Sequence, residues 1–331
     1  MPARPPRRWL GTVLPLLAGA TLFAWLLQHQ GVGRLAAAVA AGGWGILAIS
    51  AYRLINFFAD AVAWRPLFRA PRPPLGPLIA YRWMCESLNG LLPVAQVGGD
   101  LARARLATRL GVPGTEAGAV VLVDFIIGVL TQLVFSFLGA GLFLARGGGP
   151  AARGIALGLA LAAIPIALFA LAGRVDPFRR TAAVLRFLVP WRAWTAFAGN
   201  AEALDRSLRE VYGRRRDLLA SFSWRLASWI IHTGETWLAL LALGKTVGFG
   251  DALILESLSY AARSMAFLIP GGLGVQEGSF LLLGGPLGLT PEISLALGLV
   301  KRAREILVGC PGVLAYAVLE GRKFARRPPR V

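Results

Sequence analysis

Two stretches of this chain set carboxylates and guanidinium groups into otherwise apolar sequence. Pro93 is followed seven residues later by Asp100, with Gly98 and Gly99 before that acid and Arg103 and Arg105 after it. Pro270 is followed seven residues later by Glu277, across Gly271, Gly272, Gly274 and Gln276, and Lys301 and Arg302 come further along. A proline followed by glycines lets a helix stop, reverse and restart. An acid at the restart gains about 0.3–1 kcal/mol from the helix N-terminus, whereas a charge at membrane depth costs about 2.5–3.5 kcal/mol. Capping alone does not offset that cost, so Asp100 and Glu277 are expected to have a cationic partner or a wet cavity. Guanidinium binds phosphate oxygens bidentately, which makes Arg105 and Arg302 candidate phosphate-binding groups. With Arg103, Gln276 and Lys301 they form a candidate substrate path. The alternative is a set of structural ion pairs that lock the two stretches.

Further polar residues lie inside apolar spans: Arg53, Asn56 and Asp60 at helical spacing, then Glu86, Asn89, Asp124, Arg225, His232, Glu235, Glu256 and Arg263. For these, internal pairs or hydrogen bonds are the simpler expectation. Arg53, Asp60, Glu86, Asp124 and Arg263 are kept as secondary candidates for lining a cavity. Nothing here points to catalysis, a metal or a cofactor. His29 and His232 are the two histidines, Cys85 and Cys310 are isolated, and no nucleophile-base pair or carboxylate cluster is evident. The glycines of "GGLGVQEG" miss the dinucleotide-binding spacing.

The solvent of these residues follows from composition. The chain has 331 residues, 56% hydrophobic and 16% charged, with a mean hydropathy of +0.61. That is too apolar for a soluble domain and predicts an all-α integral membrane protein. The net charge of +18 lacks the water-soluble fold a nucleic-acid reader needs. Apolar spans run over 9–28, 44–64, 115–145, 154–172, 218–243 and 291–319, with two interrupted pairs at 77–110 and 252–289. With an inside N-terminus and each interrupted pair re-entrant, the segments inside hold 21 Lys and Arg against 4 outside. The expectation is about six transmembrane helices, two re-entrant hairpins and both termini cytoplasmic. The apolar start is long and lacks a small-residue cleavage site, so it reads as an uncleaved anchor.

The two interrupted pairs resemble each other. Asp100 and Glu277 match, Pro113 and Pro291 follow twenty and twenty-one residues past each first proline, Glu116 and Glu292 open the next helix, and Asp124 falls near Lys301 and Arg302. Three crossings between the copies would invert the second, as in transporters built from broken helices. The expected organisation is an anchor and external loop (1–43), a first repeat (44–172), a basic aromatic cytoplasmic linker (173–217), a second repeat (218–319) and a basic tail (320–331). The linker either lies at the membrane interface or is an ordinary basic loop.

From about residue 40 to 320, through "PVAQVGGDLARARLATRLGVP" and "LIPGGLGVQEG", the chain resembles the flippase-like membrane region of lysylphosphatidylglycerol synthases. It is most similar to the branch associated with hopanoid biosynthesis. The resemblance implies lipid translocation or handling in the bacterial inner membrane, with a phospholipid or hopanoid-type lipid as partner. The synthases' soluble aminoacyltransferase domain has no counterpart in "GRKFARRPPRV", so synthase activity is not expected. Three classes stay open: a lipid flippase or transporter, a non-transporting accessory or scaffold subunit of a membrane lipid-modifying enzyme, and a membrane-embedded transferase, for which no catalytic set is visible. The first expects neutralised Asp100 and Glu277 to abolish lipid reorientation.

Overall fold

Glycine and proline cut the chain into helices in the computed structural model, which describes residues 32–91, 98–147, 154, 201–265 and 274–325. Among these residues there are nine α-helices and no strand. They are α1 (Val32–Trp64), α2 (Leu75–Leu91), α3 (Gly98–Ala107), α4 (Gly114–Ala145), α5 (Ala201–Gly213), α6 (Arg215–Ala242), α7 (Phe249–Met265), α8 (Val275–Gly284) and α9 (Pro291–Ala325). Short 3₁₀ turns follow α3 and α8, and each ends on a left-handed glycine, Gly111 (φ 81°) and Gly288 (φ 74°). An L side chain resists that conformation, so these two positions need glycine. Pro291 then opens α9, where its missing N–H removes no helical bond.

One pattern of lengths occurs twice. Helices of 33 (kinked at Gly43, φ 46°), 17, 10 and 32 residues (α1 to α4) are matched by helices of 28, 17, 10 and 35 residues (α6 to α9). At 1.5 Å per residue the 17- and 10-residue members span about 25 and about 15 Å, short of about 30 Å of hydrocarbon. The expected interrupted pairs 77–110 and 252–289 correspond to these short helices, α2 with α3 and α7 with α8. The break residues Pro93, Pro270, Gly271 and Gly272 lie outside the described residues.

Gly43–Leu67, with mean hydropathy 1.5, and Gly114–Ala145, with 2.3, are long and apolar enough to cross a bilayer. The expected spans 218–243 and 291–319 correspond to α6 and α9, which have the length but carry more charge. The helix α6 starts at Arg215, three residues inside the expected linker. Spans 9–28 and 154–172 lie outside the described residues, Gly154 excepted.

The long helices are amphipathic in the sense opposite to a soluble protein. On α1, Leu47, Leu54, Ile55 and Phe58 are exposed while Arg53 and Asn56 are buried. On α9, Leu307, Leu314 and Val318 are exposed while Lys301, Arg302 and Arg304 are buried. The exposed positions repeat at i, i+7 and i+11, which is one face of a helix. Such a surface is unfavourable in water and suits hydrocarbon.

Two apolar cores flank this buried charge. The first gathers Trp64, Leu78, Leu106, Val120, Leu122 and Leu208 with Val313 and Leu319 at its edge, and α2 and α3 belong to it. The second gathers Ile46, Ile49, Phe143, Leu240, Leu255, Phe280 and Leu297, and α7 and α8 belong to it. Each long helix enters both. α1 and α9 run from the second core to the first, and α4 and α6 run from the first to the second. The charged residues occupy the middle of these helices. In α9 Pro311 removes a backbone donor, and one turn earlier Trp83 Nε1 donates to the Val308 carbonyl at 2.8 Å, tying α2 to α9.

Candidate functional site

The charged middle layer surrounds a cavity of about 300 Å³. Both helix breaks reach it: Asn89, Gly90 and Leu91 at the end of α2 with Asp100 and Arg103 of α3, and Arg263 and Ser264 of α7 with Gln276 and Phe280 of α8. Its lining carries seven basic and five acidic side chains. Asp124 and Glu235 lie just behind that lining, so the excess of cations at the wall is balanced from the second layer.

The wall on the first-core side is built around Asp124, 1% exposed. Its two oxygens accept from Arg82 at 2.9 and 2.7 Å and from Arg225 at 2.8 Å each, and Arg103 Nη1 lies 2.7 Å away. Arg225 also donates to Asp60 at 2.6 Å, and Arg103 pairs with Asp100 at 2.9 Å. Trp64 supports two of the guanidinium groups, with its ring 5.1 Å from Arg103 and 5.6 Å from Arg82. A buried carboxylate of this kind is tolerated because it is paired several times over.

The wall on the second-core side is built around Glu235 and Glu256. Arg304 Nη2 donates to Glu235 at 2.5 Å, with Arg53 at 3.6 Å and Lys301 at 3.9 Å from the same carboxylate. Glu256 accepts from Lys301 and Thr236, and Lys301 donates to Thr236 at 2.7 Å. His232 stands between the acids, Nε2 at 3.5 Å from Glu235 and Nδ1 at 3.4 Å from Glu256. Arg53 also pairs with Glu86. Nearer the α8 end, Arg263 donates to Gln276 at 3.1 Å and to Glu305 at 2.6 Å.

The two walls are related by position. Arg82 is the eighth residue of α2 and Glu256 the eighth of α7, while Asp124 is the eleventh of α4 and Lys301 the eleventh of α9. Each half thus has the same cross-helix ion pair with its signs exchanged.

Residues 12–312 match the family described as lysylphosphatidylglycerol synthase TM region. The chain belongs to that family. This makes it a helical membrane protein, in agreement with its apolar exterior. The match is to the family as a whole, without separating a hopanoid-associated branch. Searches among curated proteins and among solved structures return no match.

The family member's cavity collects Asp100, Arg103, Gln276 and Lys301 of the residues expected to form a path, together with Arg53, Asp60, Glu86 and Arg263. Four others are placed elsewhere. Arg105 is 46% exposed and pairs with Glu320 at 3.2 Å; it lies two residues, about 200° around the helix, past Arg103, which lines the cavity. Glu277 caps α8, accepting from the Gly274 N–H at 2.9 Å, and lies 3.4 Å from Arg302, which also pairs with Glu305 at 2.8 Å. Asp124 is sealed behind its three arginines. Sequence reasoning passed over Arg82 and Glu305. Their signal was helical spacing, since Arg82 lies four residues before Glu86 and Glu305 four after Lys301. Among the described residues no group of three or more His, Cys, Asp and Glu could hold a metal ion.

Proposed function

We propose that this protein is a lipid flippase or transporter of the bacterial cytoplasmic membrane that passes a polar headgroup through the charged cavity while the acyl chains stay in the bilayer. The observation that carries the reading is the convergence of both helix breaks on one polar cavity between two apolar cores. Irregular backbone at membrane depth is tolerated where it lines such a cavity. The opposite order in which α1 and α6, and α4 and α9, traverse the two cores supports an inverted repeat, with one break reaching in from each side. Basic residues Arg65, Arg69, Arg72, Arg214, Arg215 and Arg216 all fall at the first-core end, which supports a cytoplasmic assignment for that end and for the C-terminal end of α9. The substrate on this reading is a phospholipid or a hopanoid-type amphiphile, and the protein performs no covalent chemistry.

A second reading is an accessory subunit of a lipid-modifying enzyme, favoured by the closure of the ion pairs among themselves. The test is reconstitution into liposomes with a fluorescent phosphatidylglycerol, followed by quenching of the outer leaflet. Protein-dependent loss of the protected inner-leaflet signal, reduced by Arg53→Ala, supports transport. No loss with folded protein, together with a stably co-purifying enzyme, sinks it in favour of the accessory role.

A further inference from the structure

His232 is the one histidine among the described residues, and the transport reading gives it no task. It lines the cavity, is 6% exposed, and is packed between Trp229 and Tyr260, with ring centroids at 6.0 and 5.9 Å. Its two nitrogens face two different carboxylates, Glu235 on its own helix and Glu256 on α7. A neutral imidazole has one N–H, so it can donate to one of them and must turn a lone pair toward the other; an imidazolium can donate to both. The nitrogen toward Glu235 has no hydrogen-bond partner, nor does Glu235 Oε2, which leaves room for the contacts to tighten when a proton arrives.

The charges that face this imidazole come from every packed element that brings one. α1 supplies Arg53, whose other partner is Glu86 of α2; α7 supplies Glu256 and the Tyr260 hydroxyl; α9 supplies Lys301 and Arg304; and α6 itself supplies Glu235. From α4 the nearest acid, Asp124, is taken by Arg82, Arg103 and Arg225. With His232 neutral, Arg53, Lys301 and Arg304 balance Glu86, Glu235 and Glu256. One added proton therefore leaves one positive charge at the cavity wall. A monoanion in the cavity neutralises it.

We propose that His232 is a proton-binding site linked to cavity occupancy, so that a phosphodiester headgroup and one proton enter the site together. The proposal rests on the transport reading for its ligand. Linkage is reciprocal: if the anion favours the proton, the proton favours the anion equally. Movement of such a lipid would then carry a proton with it, and a pH gradient would set its direction.

The test uses the full chain in detergent with glycerophosphoglycerol, a soluble phosphodiester whose own charge is constant near neutral pH. Binding is followed by calorimetry and proton uptake by an indicator dye in weak buffer. Wild type is expected to take up about one proton per phosphodiester bound, and its affinity to fall about tenfold per pH unit above the pH at which the empty site releases its proton. In His232→Gln and, independently, His232→Asn the uptake and the slope are expected to vanish while the protein still elutes as a monodisperse species. Binding without uptake, or uptake that persists in both variants, overturns the proposal and leaves the transport reading standing. Failure to bind overturns it as well, and the liposome assay then decides separately whether transport falls too.

Discussion

Asp124 and Lys301 occupy the same position in the closing long helix of each half and carry opposite charges. Each pairs with the same position of its half's 17-residue helix, Arg82 for Asp124 and Glu256 for Lys301. The geometry of the pair is retained and its polarity reversed, so the two walls of the cavity differ in chemistry while sharing a scaffold.

Asp124→Asn leaves Arg82, Arg103 and Arg225 facing a neutral amide in a buried site. Breaking a buried pair from one side costs about 3–5 kcal/mol. The variant is expected to lose most of its folded yield and to unfold at a markedly lower temperature in detergent. Asp60→Asn is expected to cost less, because Arg225 retains Asp124 at 2.8 Å. Equal losses for the two would contradict the central role given to Asp124.

Arg105→Ala and Arg53→Ala separate surface from cavity. Arg105 pairs with Glu320 at 3.2 Å on an exposed face, an interaction worth at most about 1 kcal/mol. Its removal is expected to leave both stability and lipid reorientation near wild type. Arg53→Ala removes a cavity cation that meets Glu86 and Glu235, and reorientation is expected to drop at least about tenfold, the size of effect a lost charge-assisted contact produces.

The two matching acids are expected to behave differently. Glu277→Gln weakens a helix cap and an ion pair, at a cost of about 0.5–2 kcal/mol, and is expected to reorient lipid near the wild-type rate because Glu277 does not line the cavity. Asp100→Asn removes a carboxylate that does line it and is expected to slow reorientation. Reorientation rates of the two variants in the same liposomes decide; the order reversed would put the path on the Glu277 side.

Gly139 marks where α4 meets α7. A Cβ there would lie 1.7 Å from Ser257 Oγ and 2.9 Å from its Cβ. Gly139→Ala is expected to destabilise by about 1–3 kcal/mol through overpacking. Adding Ser257→Gly clears both clashing atoms and is expected to recover part of the loss in a thermal-unfolding measurement.

Much of this architecture was legible in the residues, and the site was legible only in part. The short helices α2 with α3 and α7 with α8 fall where proline and glycine spacing predicted interrupted pairs, because local backbone chemistry limits helix length. The register even brought Asp124 near Lys301. Partners were another matter. Arg82, Arg225 and Asp124 come from three helices, and no helical period within one of them tells which distant guanidinium a carboxylate meets. Arg105 is a second case that spacing leaves open. It sits beside a break and has the right chemistry, yet a turn of a few positions along α3 sends it to the surface, and only packing fixes that phase.

The ion pairs that cross between the halves restrict what each half can bind. Arg225 of the second half completes Asp60 and Asp124 of the first, and Arg53 of the first half completes Glu235 of the second. Each half lends an arginine to the other's carboxylates, so these contacts are lost together if the halves part. The pairs with exchanged signs, Arg82–Asp124 and Glu256–Lys301, close inside their own halves, so cohesion across the boundary depends on the two arginines that cross it, Arg225 and Arg53.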